Sequence, residues 1–304
     1  QFYSRFMRHL SSFVSYTPEE MDEAFELYHK ALLQSDRDPK TVTRYWQIIS
    51  SYRSWLGERQ PDVANAKEFL ANLRQKGYEP ASVLLYYHGL RQFLKSLGLA
   101  LEVKLRKPHK LPPYFDRGDI EALIRQAELG LPHQTDEQKR RNKSLVLILA
   151  YTGMRKSELL NLLVSDIDFN RRVITVRQGK GSRDRVIPMA DRIAVPLREQ
   201  CAGKTSKERV FNNLNARSVY RIVTSLAKCC GLDTLHPHSL RHYFGTRLVE
   251  KGANLRDIQE LMGHRSLETT AIYLDISPGH LRQSVALLDS EEPLPLGQNI
   301  HDQS

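Results

Sequence analysis

Four side chains with complementary chemistry fall within one stretch of the sequence, from His236 to Tyr273. His238 and Arg241 are three residues apart, so on a helix they share one face. His264 and the tyrosine follow further along. An arginine fork matches two phosphate oxygens, an imidazole exchanges protons near neutral pH, and a phenol can act as a covalent nucleophile. These residue types together suit chemistry at a phosphodiester.

Turn signals in the same stretch place these side chains near helix ends. Pro237 suits the first turn of a helix, where free amides favour an anion. Gly263 marks the end of a predicted helix over Leu255–Met262, so His264 follows a helix stop. Ser266 can cap a further helix that carries the tyrosine. We therefore expect helix termini to bring these side chains together.

Two basic residues upstream occupy places that local turns would fix. Arg155 follows the Gly153 turn, which ends an apolar run at 144–151 that predicts a buried helix after a polar loop at 130–141. Lys180 lies at a glycine-flanked hairpin tip, in a predicted antiparallel sheet of strands 167–169, 173–176 and 185–189. A lone arginine is usually a surface residue, and a lone hairpin lysine carries no functional signal.

Composition and charge favour a polyanionic partner. The chain has 304 residues, enough for about two domains. Its formal net charge of +10 divides into +1 over residues 1–103, +4 over 104–115, +9 over 116–288 and −4 over 289–304. A basic surplus of this kind most often meets nucleic acid, although charge can also serve solubility alone.

The cysteines and apolar runs point to an intracellular protein. Cys201, Cys229 and Cys230 form no C-x-x-C pattern that would favour zinc, and adjacent cysteines suit an ordinary disulfide poorly. Reduced thiols in a cytosolic protein are the favoured interpretation, so we expect a cytoplasmic location. The longest apolar run, 145–151, is too short to cross a bilayer, and no signal-peptide pattern is visible.

Helix signals and composition divide the chain into parts. Residues 15–100 predict a small all-helical domain, because caps and prolines start helices and no strand pattern intervenes. Segment 104–115 predicts a basic linker whose charges either form a solvated tether or contact phosphates, and we favour the contacts. These charges belong to Lys104, Arg106, Lys107 and Lys110. A last amphipathic helix at 278–288 packs on its own domain or on a neighbouring subunit, before an acidic tail at 289–304.

Six residues, with the motifs around them, resemble the active-site set of the tyrosine recombinases, a phage-integrase-like family. They are Arg155, Lys180, His238, Arg241, His264 and Tyr273. The motifs read Thr152-Gly153-Met154-Arg155-x-x-Glu158-Leu159, Gly179-Lys180-Gly181, His236-Pro237-His238-x-Leu240-Arg241-His242, Leu261-Met262-Gly263-His264 and Thr269-Thr270-x-Ile272-Tyr273. Each piece alone is weak, but the ordered set is highly specific and looks closest to the simple Xer-like members. Met154 and Met262, where leucine is commoner, are volume-tolerant departures.

The resemblance implies a fold and partners. The fold would be mainly α with a small antiparallel β-sheet, in a two-domain, C-shaped DNA clamp. Residues 1–103 would form a helical, SAM-like core-binding domain, and residues 116–288 a mixed α/β catalytic domain. The partner would be double-stranded DNA with inverted-repeat recombination sites, so the resemblance also implies a nucleoid-associated location in the cytoplasm. The assembly would be a homotetramer on two sites, with the predicted helix 278–288 as a candidate contact between subunits. A related recombinase could take the place of some subunits, and no membrane partner is expected.

The resemblance also implies a role for each residue. Tyr273 would attack the scissile phosphate and become joined to the DNA 3′ end, while Arg155 and Arg241 hold the non-bridging oxygens. His264 would donate to the same oxygens, Lys180 would protonate the leaving 5′ oxygen, His238 would act as a base, and Glu158 would brace an arginine. No ATP is required, because the phosphodiester energy is kept in the tyrosine link. No metal or other cofactor is expected, because the two arginines would neutralise the phosphate. A phenol with a pKa of about 10 would need this cationic setting to react near neutral pH.

The implied activity is site-specific recombination through a Holliday junction, in integration, excision or dimer resolution. One alternative is nicking and resealing as in type IB topoisomerases, which use a similar constellation. The helical first domain and the candidate helix at 278–288 favour recombination. Another alternative is a DNA-binding relative that has lost cleavage, and the presence of all six residues argues against it.

Overall fold

The computed structural model describes residues 16–105, 111–177, 184–264 and 266–276. Contacts divide the chain into two compact units, 1–110 and 111–304. The division falls inside the segment 104–115. The predicted helix at 278–288 and the acidic segment 289–304 lie outside the described residues. In the described ranges, no helix is both long enough and apolar enough to span a membrane.

The first unit is helical throughout its described part, as the prolines and caps predict. Pro39 and Pro80 each begin a helix, and Thr17 caps another through a hydrogen bond from the Glu20 amide to its hydroxyl. The core is rich in aromatic side chains, such as Phe25 stacked on Phe93 with ring centroids 4.6 Å apart. The helices are α1 (Pro18–Leu33), α2 (Pro39–Leu56), α3 (Val63–Gln75) and α4 (Pro80–Ser96).

The second unit packs helices around α6, whose residues 145–150 are all buried. This helix contacts α5, α8 and α10. It begins at Asp136, earlier than the predicted start, because Thr135 caps it within the polar stretch that the sequence analysis takes as a loop. The helices of this unit are α5 (Arg117–Leu129), α6 (Asp136–Thr152), α7 (Lys156–Asn161), α8 (Asp191–Cys201), α9 (Ala216–Cys229), α10 (Pro237–Glu250), α11 (Leu255–Met262) and α12 (Leu267–Ile276).

A small antiparallel sheet completes the second unit, as predicted. Its strands are β1 (Ile167–Asp168), β2 (Val173–Val176) and β3 (Arg185–Pro188), in the order β1-β2-β3. The last pair in the β2–β3 register joins Val176 to Arg185. The hairpin tip at 178–183, which contains Lys180, lies outside the described residues.

Glycines at helix ends set the directions of the chain around the site. Gly153 ends α6 and Gly263 ends α11, both in the left-handed conformation. A side chain at Gly153 would also collide with the Phe244 ring. Because glycine adopts positive φ without a steric penalty, the chain can turn sharply at both places. The residues that follow, Arg155 and His264, therefore start from fixed positions.

Candidate active site

Arg155 is fixed at the start of α7 while its guanidinium remains open to solvent. Its amide donates to Glu158 Oε2 at 2.7 Å and its Nη1 to Glu158 Oε1 at 2.8 Å. Its Nη2 donates to the Gly263 carbonyl at 3.3 Å. The side chain is 40% exposed. A rigid but accessible fork of this kind can receive two oxygens of an anion.

Arg241 is buried, with only 2% of its surface exposed. Its Nη1 donates to the Gly153 carbonyl at 2.5 Å and its Nη2 to the Met262 carbonyl at 2.6 Å. Both acceptors stand at helix carboxyl ends, where unpaired carbonyls carry partial negative charge. Burial and then the charge of Arg155 lower the pKa of Arg241 to about 10, so it stays charged at neutral pH.

Arg185 is a member of the cluster that the sequence analysis missed. It is 6% exposed, and its Nε donates to the Leu261 carbonyl at 2.8 Å. Its two terminal nitrogens donate to Glu158 Oε1 at 3.0 Å and Oε2 at 2.8 Å. A signal was present in the strand pattern, because Arg185 and Ile187 share the inward face of β3. A charged residue at an inward strand position indicates a buried partner.

The carboxyl end of α11 therefore gathers three guanidinium groups. Its last carbonyls belong to Leu261, Met262 and Gly263, and each accepts a hydrogen bond from a different arginine. These carbonyls have no partner within the helix itself, and their dipoles favour cations. The helix end thus stabilises three neighbouring guanidinium groups, whose positive charges would otherwise repel one another.

Glu158 supplies the opposing charge and lies next to Arg155 and Arg185. Desolvation by burial raises the pKa of its carboxyl group. Hydrogen bonds and charge from Arg185, followed by those from Arg155, outweigh burial and hold the pKa below the ordinary value. Glu158 is therefore a carboxylate at neutral pH, and both of its oxygens accept from both arginines.

His264 follows the end of α11 and is half-buried. Its Nδ1 lies 2.9 Å from the Thr270 hydroxyl oxygen, and Thr270 is fully buried. Burial, then the charges of Arg241 and Arg155, lower the pKa of His264 to about 4. The imidazole is thus neutral at physiological pH, and it can still donate one N–H.

Two further imidazoles lie on α10 in edge-to-face contact, with the rings of His238 and His242 4.6 Å apart. His238 is exposed at the first turn, and desolvation together with the charge of Arg241 lowers its pKa. His242 is half-buried, and desolvation followed by the proximity of His238 lowers its pKa to about 4. His242, which the sequence analysis left without a role, also contacts the Tyr273 ring at 5.7 Å between centroids.

Tyr273 is buried, with 1% of its surface exposed. Its ring lies nearly parallel to that of His264 at 6.2 Å between centroids. Gly245 of α10 makes room for it, because a Cβ there would lie 2.6 Å from Cε2 and 2.7 Å from Cζ of the ring. The importance of this glycine could not be read from the sequence, because it depends on a contact with another helix.

The pKa of the Tyr273 phenol differs from the value that its cationic setting alone would give. Arg241 and Arg155 both act to lower the pKa of its phenol, as the sequence analysis expects. Desolvation by burial is larger and raises the pKa to about 12. The cationic setting alone therefore does not ready the phenol for deprotonation near neutral pH, because the surrounding protein withholds the water that would stabilise a phenolate.

The second unit thus brings together most of the residues singled out in the sequence. Arg155, Glu158, Arg241, His264 and Tyr273 meet around the end of α11, and His238 stands at the first turn of the helix that carries Arg241. Lys104 is exposed in the first unit. Outside the described residues lie Lys180, Arg106, Lys107 and Lys110. Within the described ranges, no three His, Cys, Asp or Glu residues are grouped so that they could hold a metal ion.

Comparisons with known proteins identify the family of the chain. Residues 114–280 match the Phage integrase family. Tyrosine recombinase XerA of Thermococcus kodakarensis is 34% identical over 276 residues, which cover 88% of this chain and 94% of that protein. XerA of Pyrococcus furiosus is 32% identical, covering 86% and 93%.

Solved structures show the same fold. The crystal structure of XerA recombinase aligns with a TM-score of 0.51 at 25% identity, over 90% of this chain and 100% of that one. The Tn1549 transposon integrase in complex with transposon right-end DNA aligns with a TM-score of 0.71 at 18% identity, over 88% and 99%. By sequence and by fold, the chain belongs to the phage integrase family of tyrosine recombinases, the enzymes of site-specific DNA recombination.

Proposed function

We propose that this chain is a site-specific recombinase that cuts and rejoins DNA through a covalent 3′-phosphotyrosine intermediate on Tyr273. The observation that carries the proposal is the gathering of Arg155 and Arg241 at the end of α11, in the electrostatic environment of the Tyr273 phenol. Two fixed guanidinium groups beside a phenol are suited to a phosphate that gains negative charge during attack.

Each half of the reaction exchanges one oxygen for another on phosphorus. The Tyr273 oxygen forms a bond to the scissile phosphorus and gives its proton to His238, while the bond to the 5′ oxygen breaks. Lys180 donates a proton to the departing oxygen. Arg155 and Arg241 stabilise the negative charge on the non-bridging oxygens. The 5′ hydroxyl of the partner strand then attacks in reverse, and two such exchanges form and resolve a Holliday junction.

The protonation states support these assignments. The lowered pKa of His238 leaves its imidazole neutral, as a base requires. His264 is neutral as well and contributes through a hydrogen bond rather than a charge. Because burial keeps the Tyr273 phenol protonated in the free protein, we assign its activation to the DNA-bound state.

The domain roles and partners follow from the same proposal. Residues 1–103 bind DNA, 104–115 link the domains with contacts from the basic residues to phosphates, and 116–288 carry the chemistry. The substrate is double-stranded DNA with inverted-repeat sites, held by a tetramer that uses the predicted helix at 278–288. Complexes of related folds support DNA as the partner, since XerH is bound to difH substrate and a lambda integrase dimer to a COC′ core site.

A nicked DNA substrate tests the covalent step. When the strand fragment beyond the cleaved bond is short, it diffuses away and leaves the protein attached to the 3′ end. The wild-type chain should accumulate this adduct in the presence of a metal chelator. Tyr273→Phe should bind the same DNA and form none. Absence of an adduct from the wild-type chain on DNA that it binds specifically would refute the proposed reaction.

Strand exchange distinguishes recombination from the type IB topoisomerase alternative. Two DNA fragments of different length that carry the cognate site should yield recombinant lengths and junction intermediates. Relaxation of supercoiled DNA at the same concentration, without any recombinant product, would favour nicking and resealing instead.

A further inference from the structure

Arg185 occupies a position where a charged residue is costly. It is 6% exposed on the inward face of β3, whereas the apolar neighbour Val186 is 54% exposed. An ordinary strand would place these two residues the other way round. Because a buried charge is unfavourable unless it is paired, the position implies a specific role for the guanidinium.

All three nitrogen positions of Arg185 are committed to the surrounding protein. The terminal nitrogens donate in parallel to the two oxygens of Glu158, at 3.0 Å and 2.8 Å. Nε donates to the Leu261 carbonyl at 2.8 Å. The planar arginine fork fits this arrangement, and a lysine ammonium does not. Because its side chain is also only 5% exposed, against 40% for Arg155, Arg185 cannot present its guanidinium to a phosphate as Arg155 can.

Arg185 and Arg155 are held by the same two parts of the protein, the Glu158 carboxylate and the carboxyl end of α11. Glu158 Oε1 accepts from the Nη1 of each arginine, and Oε2 accepts from Arg185 Nη2 and from the Arg155 amide. The other support of Arg155 is the Gly263 carbonyl, two residues beyond the Leu261 carbonyl that Arg185 binds. Movement of Arg185 would therefore release the carboxylate and the helix end together.

We propose that Arg185 is a positioning residue that orients Arg155 toward the scissile phosphate by fixing Glu158 and the end of α11. The inference rests on the proposed function, because it adds a residue to that reaction. Glu158 alone can rotate about its side-chain bonds, and the fork of Arg185 removes that freedom. Arg155 then presents the same geometry to every substrate phosphate.

Arg185→Lys tests this role, because it keeps the positive charge and loses the fork. With saturating nicked DNA, the first-order rate constant for adduct formation should fall about 10- to 100-fold. DNA affinity should stay within about 2-fold, because Arg185 does not face the substrate. A rate constant describes only the folded molecules, so partial unfolding would lower the adduct yield rather than this constant.

Arg177→Lys is the matched control on the neighbouring strand. Arg177 directly follows β2, is exposed, and has its Nε 2.6 Å from Asp166 Oδ1. It should keep the wild-type rate constant, since its ion pair does not involve Glu158. Because a buried lysine can prevent folding, Glu158→Gln provides a second route. It keeps the shape of the carboxylate and removes its charge, and we expect a loss of the same order.

A double-variant cycle separates positioning from general stabilisation. If Arg185 acts through Arg155, then Arg185→Lys should cost less than about 3-fold when it is added to Arg155→Lys. A full and independent loss in that background would overturn the assignment. A wild-type rate constant for Arg185→Lys, or for Glu158→Gln, would do so as well. A wild-type chain that forms no adduct would instead overturn the proposed function itself.

Discussion

His264 can serve a phosphate in only one of its two neutral forms. Its Nδ1 lies beside the Thr270 hydroxyl, so donation to a substrate must come from Nε2. This requires that the threonine hydroxyl donates to Nδ1, which leaves the proton of the neutral imidazole on Nε2. We therefore expect Thr270 to donate and to favour this tautomer, and its burial keeps water from competing for the same nitrogen.

Thr270→Val should therefore slow cleavage while it preserves the packing of α12. We expect the rate constant for adduct formation to fall about 10-fold, equivalent to about 1.4 kcal/mol in the barrier. Thr269→Val is the matched control, because Thr269 is exposed on the same helix. Equal rates for the two variants would show that the hydroxyl of Thr270 does not set the protonation of His264.

The half-buried imidazole of His242 should make the free energy of unfolding depend on pH. Its folded pKa is about 4, below the ordinary value of 6.5. A depressed folded pKa contributes stability above the unfolded value, and that stability is lost as the pH falls through this window. Between about pH 7 and about pH 5, the free energy of unfolding of His242→Gln should therefore fall by about 1–2 kcal/mol less than that of the wild type. This figure allows for the partial exposure of the ring.

Chemical unfolding at the two pH values measures this difference. Both tryptophans, Trp46 and Trp55, belong to the first unit, so their fluorescence serves as an internal reference. Unfolding of the second unit can be followed by circular dichroism and tyrosine absorbance. If the second unit loses the same free energy in both proteins, His242 does not resist protonation in the folded state.

At the scale of elements, the contact between α10 and α12 depends on a residue without a side chain. Gly245→Ala would place a methyl group within 2.6–2.9 Å of the Tyr273 ring. Alanine normally stabilises a helix relative to glycine, but this overlap should reverse the sign and cost about 1–3 kcal/mol. Thermal unfolding and adduct formation should both detect the displacement of the ring.

Gly118→Ala provides the comparison on another helix of the same unit. A Cβ there would approach a side-chain oxygen of Asp116 at 3.1 Å, and a side chain can move aside more readily than a packed ring. We expect stability that is unchanged or slightly higher, with normal cleavage. Equal stability changes at Gly118 and Gly245 would mean that the tyrosine ring moves away without loss.

The elements that the sequence predicts well are those set by local chemistry. Pro39 and Pro80 begin helices because proline suits a first helical turn, whatever the rest of the chain does. The polar stretch 130–141 predicts a loop, and this prediction is wrong for the first turns of α6, where Asp136 and the next residues are exposed and show no apolar period. The capping pair of Thr135 and Gln138 was the available signal.

The contacts of the candidate site likewise divide into local ones, which the sequence predicts, and long-range ones, which it does not. Arg155 and Glu158 are close in sequence, so their pairing follows from the geometry of one helical turn. Arg185 meets Glu158 across 27 residues and Leu261 across 76, and no local pattern encodes such contacts. The burial of Tyr273 is likewise a product of tertiary packing, which is why its raised pKa could not be anticipated.

At the scale of the whole molecule, positive charge is densest in segment 104–115, which the sequence predicts to be a linker. Residues 1–103 carry +1, whereas the short segment 104–115 carries +4. Lys104, the member of this set within the described residues, is exposed. We propose that the four basic residues contact DNA phosphates. Each such contact releases counterions, so binding should weaken as salt increases.

Replacement of the four residues Lys104, Arg106, Lys107 and Lys110 by glutamine should weaken DNA binding and flatten its dependence on salt. If all four contact phosphates, the slope of log affinity against log salt should fall in magnitude by about 3–4. A variant in which lysine and arginine are exchanged at the same positions keeps every charge and should keep the slope. Because only the charge differs between the two variants, an unchanged slope after neutralisation would show that this segment is a solvated tether.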